Sequence, residues 1–194
     1  MAKLRISYNA PVVLTFAIAA VVAFIIEQTV PTTQAWFVAY PHLGDAHSYV
    51  GLFTHILGHA SWEHLLGNFM LILLIGPILE ERHGSMTLLF MILVTALMTG
   101  LANLAFSSGI VMGASGIAFM MILLASLSNV RGGDIPLTFL VVALIYMGGE
   151  IVKAVHGHDG ISHMAHLVGG AAGAAFGFIG ARPRKKAGPI VPKI

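Results

Sequence analysis

Length, composition and charge place this chain in a membrane. It has 194 residues, of which 57% are hydrophobic and 9% are charged, and its mean hydropathy is +0.89. Soluble domains carry about 25% charged residues. The formal net charge of +2 indicates little about partners, and we expect no nucleic-acid partner. Cysteine is absent, which excludes disulfides, thiol catalysis and thiolate metal sites. We predict one membrane domain over residues 1–194.

Six apolar runs approach the ~20 residues that a membrane-spanning helix needs. They lie at residues 10–30, 62–79, 86–106, 113–129, 135–153 and 162–181. Each run predicts one helix, so the expected fold is an all-α integral membrane bundle of six transmembrane helices. Residues 115–127 are too few to cross the hydrocarbon. The fourth helix is therefore predicted to start inside the membrane, after a loop that dips in from outside.

The basic residues set the predicted orientation. Nine of the ten lysines and arginines fall on one side of the bundle if both termini are cytoplasmic, and Lys153 falls on the other. The positive-inside rule then makes both termini cytoplasmic. We expect a multi-pass protein of a bacterial inner (cytoplasmic) membrane. The aromatic first outer loop, residues 27–60, predicts either a segment in the membrane interface or an ordinary ordered loop with interfacial anchors.

Four polar side chains are predicted to reach the same depth in the outer half of the membrane. Ser115 and His166 each lie 16 residues, or ~24 Å of helix, before the first arginine beyond their run. His64 and Asn68 share one face of the second helix and bracket the same depth. The Gly-Ala-Ser-Gly stretch 113–116 taken alone also fits small-residue packing between helices. Packing residues have no reason to coincide in depth, so we favour a site.

These residue types indicate acyl-transfer chemistry. A serine and a histidine that meet at this depth suggest a nucleophile and its general base. His64, Asn68 and the Ser115 backbone N–H can hold the oxyanion of the intermediate. We find no Asp or Glu placed to orient His166, so we expect a dyad rather than a triad. Glu150 and Lys153 are predicted to form an i,i+3 pair without a catalytic role.

Several motifs, taken in order, resemble those of the rhomboid intramembrane serine proteases. They are residues 59–68 (His-Ala-Ser-Trp-Glu-His-Leu-Leu-Gly-Asn), 113–116 (Gly-Ala-Ser-Gly), 165–173 (Ala-His-Leu-Val-Gly-Gly-Ala-Ala-Gly) and the turn 80–85. The resemblance covers about residues 50–181. It implies a rhomboid-like core with Ser115 as nucleophile and His166 as base. His64 and Asn68 would be the oxyanion side chains, and Gly113 would shape the loop.

The resemblance also implies the partners of the protein, and this sequence departs from the family pattern at two points. Substrates would be transmembrane segments of other proteins, entering laterally from the lipid bilayer and cut near the outer face after a small residue. No metal and no cofactor are expected, and the oligomeric state stays open. Phe119 stands where the family often has a tyrosine that packs against the catalytic histidine. The Trp-Arg motif common in the family's first loop is missing. His163 is the alternative to His166 as the base. We favour His166 in that role and expect His163 to line the cavity.

Other interpretations remain open. His55 and His59, one turn apart near the outer end of the second helix, are expected to bond loop backbone, with a structural or substrate-contacting role for His59 as the alternative. A catalytically silent rhomboid-like protein that binds membrane segments would share the same motifs. A metal transporter is the other class, because ten histidines are present and His156, His158, Asp159 and His163 cluster before the last helix.

Overall fold

A computed structural model describes residues 7–127, 135–156 and 163–180, except for the side chains of residues 153–156. These parts fold into helices and loops, with one isolated antiparallel bridge between Ala39 and Val111. The elements are α1 (Pro11–Thr29), a 3₁₀ segment (Pro31–Trp36), α2 (Ala46–Thr54), α3 (Trp62–His83), α4 (Ser85–Phe106), α5 (Ser115–Ser126), α6 (Leu137–Ala143), a π-helical turn (Leu144–Gly148), α7 (Gly149–His156) and α8 (His163–Gly180).

Three of the described helices, α1, α3 and α4, are long and apolar enough to cross a membrane. Their outward faces carry large apolar side chains such as Met70, Leu74 and Phe90, which are exposed. Faces of this size and chemistry fit lipid better than water. α5 has 12 residues, about 18 Å, which is too short for the ~30 Å hydrocarbon core. The short fourth helix is thus observed, while the count of six spans stays a prediction.

The short helix α5 lies at the centre of the bundle. Eight of its 12 residues are buried, on every side of the helix, as expected for a helix that is apolar all round. Its most extensive partner is α8, and α3, α4 and α6 also contact it. Gly169 and Gly173 of α8 lie against the backbone carbonyl groups of Gly116 and Met120. The stripe of small residues thus brings the two helices to backbone contact.

The second long helix begins where the apolar run 62–79 begins, and the two histidines before that run lie outside it. We placed His55 and His59 at its outer end, and this was wrong, because α3 begins at Trp62. Ser61 is the N-cap, and its Oγ accepts the His64 backbone N–H at 3.2 Å. A serine cap satisfies a free N–H at a helix start and so fixes the boundary there. Both histidines therefore lie between α2 and α3.

The first outer loop is ordered by a 3₁₀ segment and the short helix α2. Asp45 caps α2 by accepting the Ser48 backbone N–H at 2.9 Å. The outward face of α2 carries the exposed side chains of Tyr49 and Phe53. The loop is thus ordered, and the placement of its aromatic side chains in the membrane interface stays a prediction.

Candidate active site

Ser115 and His166 come together where α5 meets α8. Ser115 is the first residue of α5, and His166 lies in the first turn of α8. Nε2 of His166 is 2.8 Å from Oγ of Ser115, which is a hydrogen-bond distance. Gly169, one turn after His166, allows this approach because it has no side chain to hold α8 away from α5.

An aromatic ring fixes the plane of the His166 imidazole. Phe119 lies one turn after Ser115 and stacks on His166, with ring centroids 4.5 Å apart and planes 5° from parallel. Tyr146, from the π-helical turn, meets Phe119 edge to face at 5.8 Å. The ring contact expected from Phe119 is present. Tyr146 was not singled out from the sequence, since its place beside Phe119 depends on how two distant helices pack.

The loop just before Ser115 packs, at Gly113, against the two predicted oxyanion side chains, those of His64 and Asn68. Gly113 has φ +122°, a conformation that L side chains rarely adopt. A Cβ at this glycine would lie 2.7 Å from Nε2 of His64 and 3.5 Å from Nδ2 of Asn68. Glycine is thus required both by the backbone angle and by the two side chains. No described side chain caps the N-terminus of α5, so its first N–H groups remain available to an anion.

His59 links the serine loop to Asn68. Its Nδ1–H donates to the Leu57 carbonyl at 3.0 Å, and its Nε2 accepts from Asn68 Nδ2 at 3.1 Å and from the Ala114 N–H at 3.3 Å. Burial lowers the pKa of His59 to about 4, which keeps Nε2 a neutral acceptor near pH 7. The contacts with Leu57 and Ala114 are the expected bonds to loop backbone, and the contact with Asn68 was not foreseen.

The loop from residue 107 to residue 114 is irregular but well bonded. Ala39 and Val111 exchange backbone hydrogen bonds of 2.8 and 3.0 Å, and the Gly113 N–H donates to the His55 carbonyl at 2.8 Å. Nδ2 of Asn103 donates to the Ala39 carbonyl at 3.0 Å. Irregular backbone would be tolerated at the predicted membrane depth because protein groups bond it, as these contacts do.

The expectation that no carboxylate orients His166 was wrong. Oε2 of Glu150 lies 2.8 Å from Nδ1 of His166 and 2.7 Å from Nδ1 of His163. Glu150 and His163 are both buried. His163, the rival base in the sequence, directs Nδ1 to this carboxylate. The residues at the site are thus Ser115, His166 and Glu150 in a row, with His163 beside the carboxylate.

Sequence contained one signal for Glu150 that we did not use. It is the one acidic residue in the apolar run 135–153, and a carboxylate in such a run usually faces the bundle interior or a polar cavity. The pair predicted with Lys153 falls on a side chain outside the described part of the chain. The same holds for His156, His158 and Asp159 of the predicted metal cluster, while His163 of that cluster is described.

Comparisons with known proteins agree with this architecture. A sequence model of the Rhomboid domain matches residues 46–183. The chain is 28% identical over 160 residues to rhomboid-related protein 1 of Caenorhabditis elegans, which covers 76% of this chain but 44% of that protein, less than half of its length. It is 26% identical over 135 residues to rhomboid protease GlpG of Haemophilus influenzae, covering 68% of this chain and 70% of the relative. The resemblance seen in the motifs is confirmed, and the chain belongs to the rhomboid family of integral membrane proteins.

Proposed function

We propose that this protein is an intramembrane serine endopeptidase that cleaves transmembrane segments of other membrane proteins. The observation that carries the proposal is the 2.8 Å approach of His166 Nε2 to Ser115 Oγ at the start of a buried helix. A hydroxyl is a weak nucleophile until a base within hydrogen-bond reach takes its proton. The relative named as a rhomboid protease supports the same reaction class.

The reaction follows from the positions of the groups. Oγ of Ser115 attacks the scissile carbonyl carbon while its proton passes to Nε2 of His166. The carbonyl oxygen becomes an oxyanion, held by the first N–H groups of α5 with His64 and Asn68 as side-chain donors. His166 then gives the proton to the leaving amine, and the C–N bond breaks. Water, activated by the same imidazole, hydrolyses the acyl-serine and regenerates the hydroxyl.

The placement in the membrane belongs to the same proposal. Six spans with both termini cytoplasmic would set Ser115 in the outer half of the bilayer of a bacterial inner membrane. The distribution of basic residues supports this orientation. A substrate segment would enter laterally between helices and be cut after a small residue, as the family resemblance implies.

The test is labelling of purified protein in detergent by a fluorophosphonate serine probe. Wild type should label, Ser115→Ala and His166→Ala should not, and His163→Ala should still label. Cleavage in liposomes of a fluorescent reporter, whose transmembrane segment carries small residues near its outer end, should follow the same pattern. Asn68→Ala should reduce cleavage by about 10²–10³-fold, the cost of one oxyanion donor. Well-folded wild type that neither labels nor cleaves would make this a catalytically silent, segment-binding rhomboid.

A further inference from the structure

The Glu150 carboxylate is the feature of the site that the dyad chemistry leaves unused. We propose that Glu150 is a positioning residue for His166, so that Ser115, His166 and Glu150 act as a triad. This inference rests on the proposed function. Its geometry is a continuous line of contacts, 2.8 Å from Oγ to Nε2 and 2.8 Å from Nδ1 to Oε2.

The contacts of Glu150 select one tautomer of His166. An ionised carboxylate can only accept hydrogen bonds, so Nδ1 of His166 and Nδ1 of His163 must both carry protons to donate to Oε2. A neutral His166 protonated on Nδ1 is unprotonated at Nε2, the atom that lies 2.8 Å from Ser115 Oγ. Glu150 thus holds the base in the form that can accept the serine proton, and its charge stabilises the imidazolium that results.

The fold turns Glu150 inward at this point of the chain. Glu150 is 4% exposed, whereas the next two residues, Ile151 and Val152, are 53% and 60% exposed. The π-helical turn Leu144–Gly148 comes directly before α7. Such a turn adds one residue, which rotates the helix after it by about 100° relative to an uninterrupted α-helix, and it is frequent at functional sites. The rotated register directs the carboxylate at α8.

His163 stabilises the carboxylate from its other side. It lies three residues before His166 on α8, so both imidazoles reach one oxygen of Glu150 from neighbouring positions. Two charge-assisted hydrogen bonds hold the carboxylate more firmly than one. His163 therefore acts on His166 through Glu150, and its replacement should cost less than replacement of Glu150.

A metal ion is the rival occupant of this cluster. The ligand atoms of Glu150, His163 and His166 all lie within 4.8 Å of one another. Bonds of about 2.0–2.1 Å to a tetrahedral zinc place ligand atoms ~3.3 Å apart. The observed oxygen–nitrogen distances of 2.7 and 2.8 Å are shorter and are those of direct hydrogen bonds. The geometry therefore favours direct hydrogen bonds from the two imidazoles to the carboxylate over a metal site.

The first experiment separates positioning from folding by steady-state kinetics in liposomes. Glu150→Gln keeps the shape and removes the charge, and it should lower kcat by about 10- to 100-fold with KM and the thermal midpoint near wild type. His163→Gln should lower kcat less, and Glu81→Gln, at an exposed site on α3, should match wild type. Unchanged kcat for Glu150→Gln would overturn the proposal. A Glu150→Gln variant that instead has both a lower thermal midpoint and a higher KM would also overturn the proposal.

The second experiment reads the tautomer without using activity. In ¹⁵N-histidine NMR, with the His166 signals assigned by His166→Gln, His166 should carry its proton on Nδ1 in wild type and lose that preference in Glu150→Gln. If wild type neither labels nor cleaves, the proposed function fails while this measurement still decides the role of Glu150. An Nε2-protonated His166 in wild type would refute the triad. Stoichiometric zinc, with activity lost on chelation, would assign the cluster to a metal instead.

Discussion

A single methyl group at Gly169 should separate the proposed base, His166, from the proposed nucleophile, Ser115. A Cβ on this residue of α8 would lie 2.8 Å from the carbonyl carbon and 2.9 Å from the Cα of Gly116, and nearer still to the carbonyl oxygen. Ordinary carbon–carbon contacts are about 3.5–4.0 Å, so α8 would have to move away from α5 by ~0.7 Å or more. Gly116 directly follows Ser115, so the 2.8 Å contact with His166 would lengthen to about 3.5 Å or more.

That displacement should remove most of the activity. A misplacement of about 1 Å can cost ~10²-fold in rate, and overpacking costs about 1–3 kcal/mol of stability. The assay compares fluorophosphonate labelling rate, reporter cleavage and thermal midpoint for Gly169→Ala and Gly180→Ala. Gly180 ends the same helix with open space around its Cα, so it controls for the gain in helix propensity. Wild-type labelling by Gly169→Ala would refute the argument that backbone contact sets the Ser115–His166 distance.

Three further outcomes are expected from individual contacts. Phe119→Ala should lower kcat by about 3- to 10-fold, because an aromatic contact contributes ~0.5–1.5 kcal/mol. Phe119→Tyr keeps the ring and should keep the wild-type rate. Equal rates for Phe119→Ala and wild type would contradict the stacking role. Glu80→Ala should lower the free energy of unfolding by about 1–3 kcal/mol, since this carboxylate accepts two backbone N–H bonds at 2.9 and 3.0 Å from the first turn of α1; exposed Glu81→Ala is the control. Acidification from pH 6.5 to 4 should destabilise the protein, because the unfolded chain then binds more protons than folded His59, with its pKa of about 4; His59→Gln should flatten the pH dependence of the thermal midpoint.

The apolar runs predicted helix positions well because span length and charge placement act locally. The runs 10–30 and 86–106 correspond to α1 (Pro11–Thr29) and α4 (Ser85–Phe106) within a residue or two. Counting from the flanking arginines predicted that Ser115 and His166 lie at one level, and the two side chains do meet. His55 and His59 were assigned to α3 because their four-residue spacing looked helical. The cap at Ser61, a readable local signal, ends that pattern.

The contacts of Glu150 could not be read from residue spacing. An i,i+3 pattern with Lys153 describes an α-helix of uniform register, and the π-helical turn at Leu144–Gly148 breaks that register before Glu150. The three-way role of His59 was also inaccessible, because Leu57, Asn68 and Ala114 approach it from separate segments. Where a side chain points thus depended on one inserted residue and on loop packing, which periodicity does not encode.

Hydrogen bonds hold the backbone just before Ser115, whereas the N–H groups at the start of α5 have no described side-chain cap. Loop residues Val111, Gly113 and Ala114 direct their N–H groups to Ala39, His55 and His59 respectively, so the loop before α5 is held from three sides. The next N–H groups, at the start of α5, have no described side-chain cap. A helix start normally gains ~1 kcal/mol from such a cap. Leaving it out beside bonded backbone concentrates hydrogen-bond donors at the point where the proposed reaction would create a negative charge.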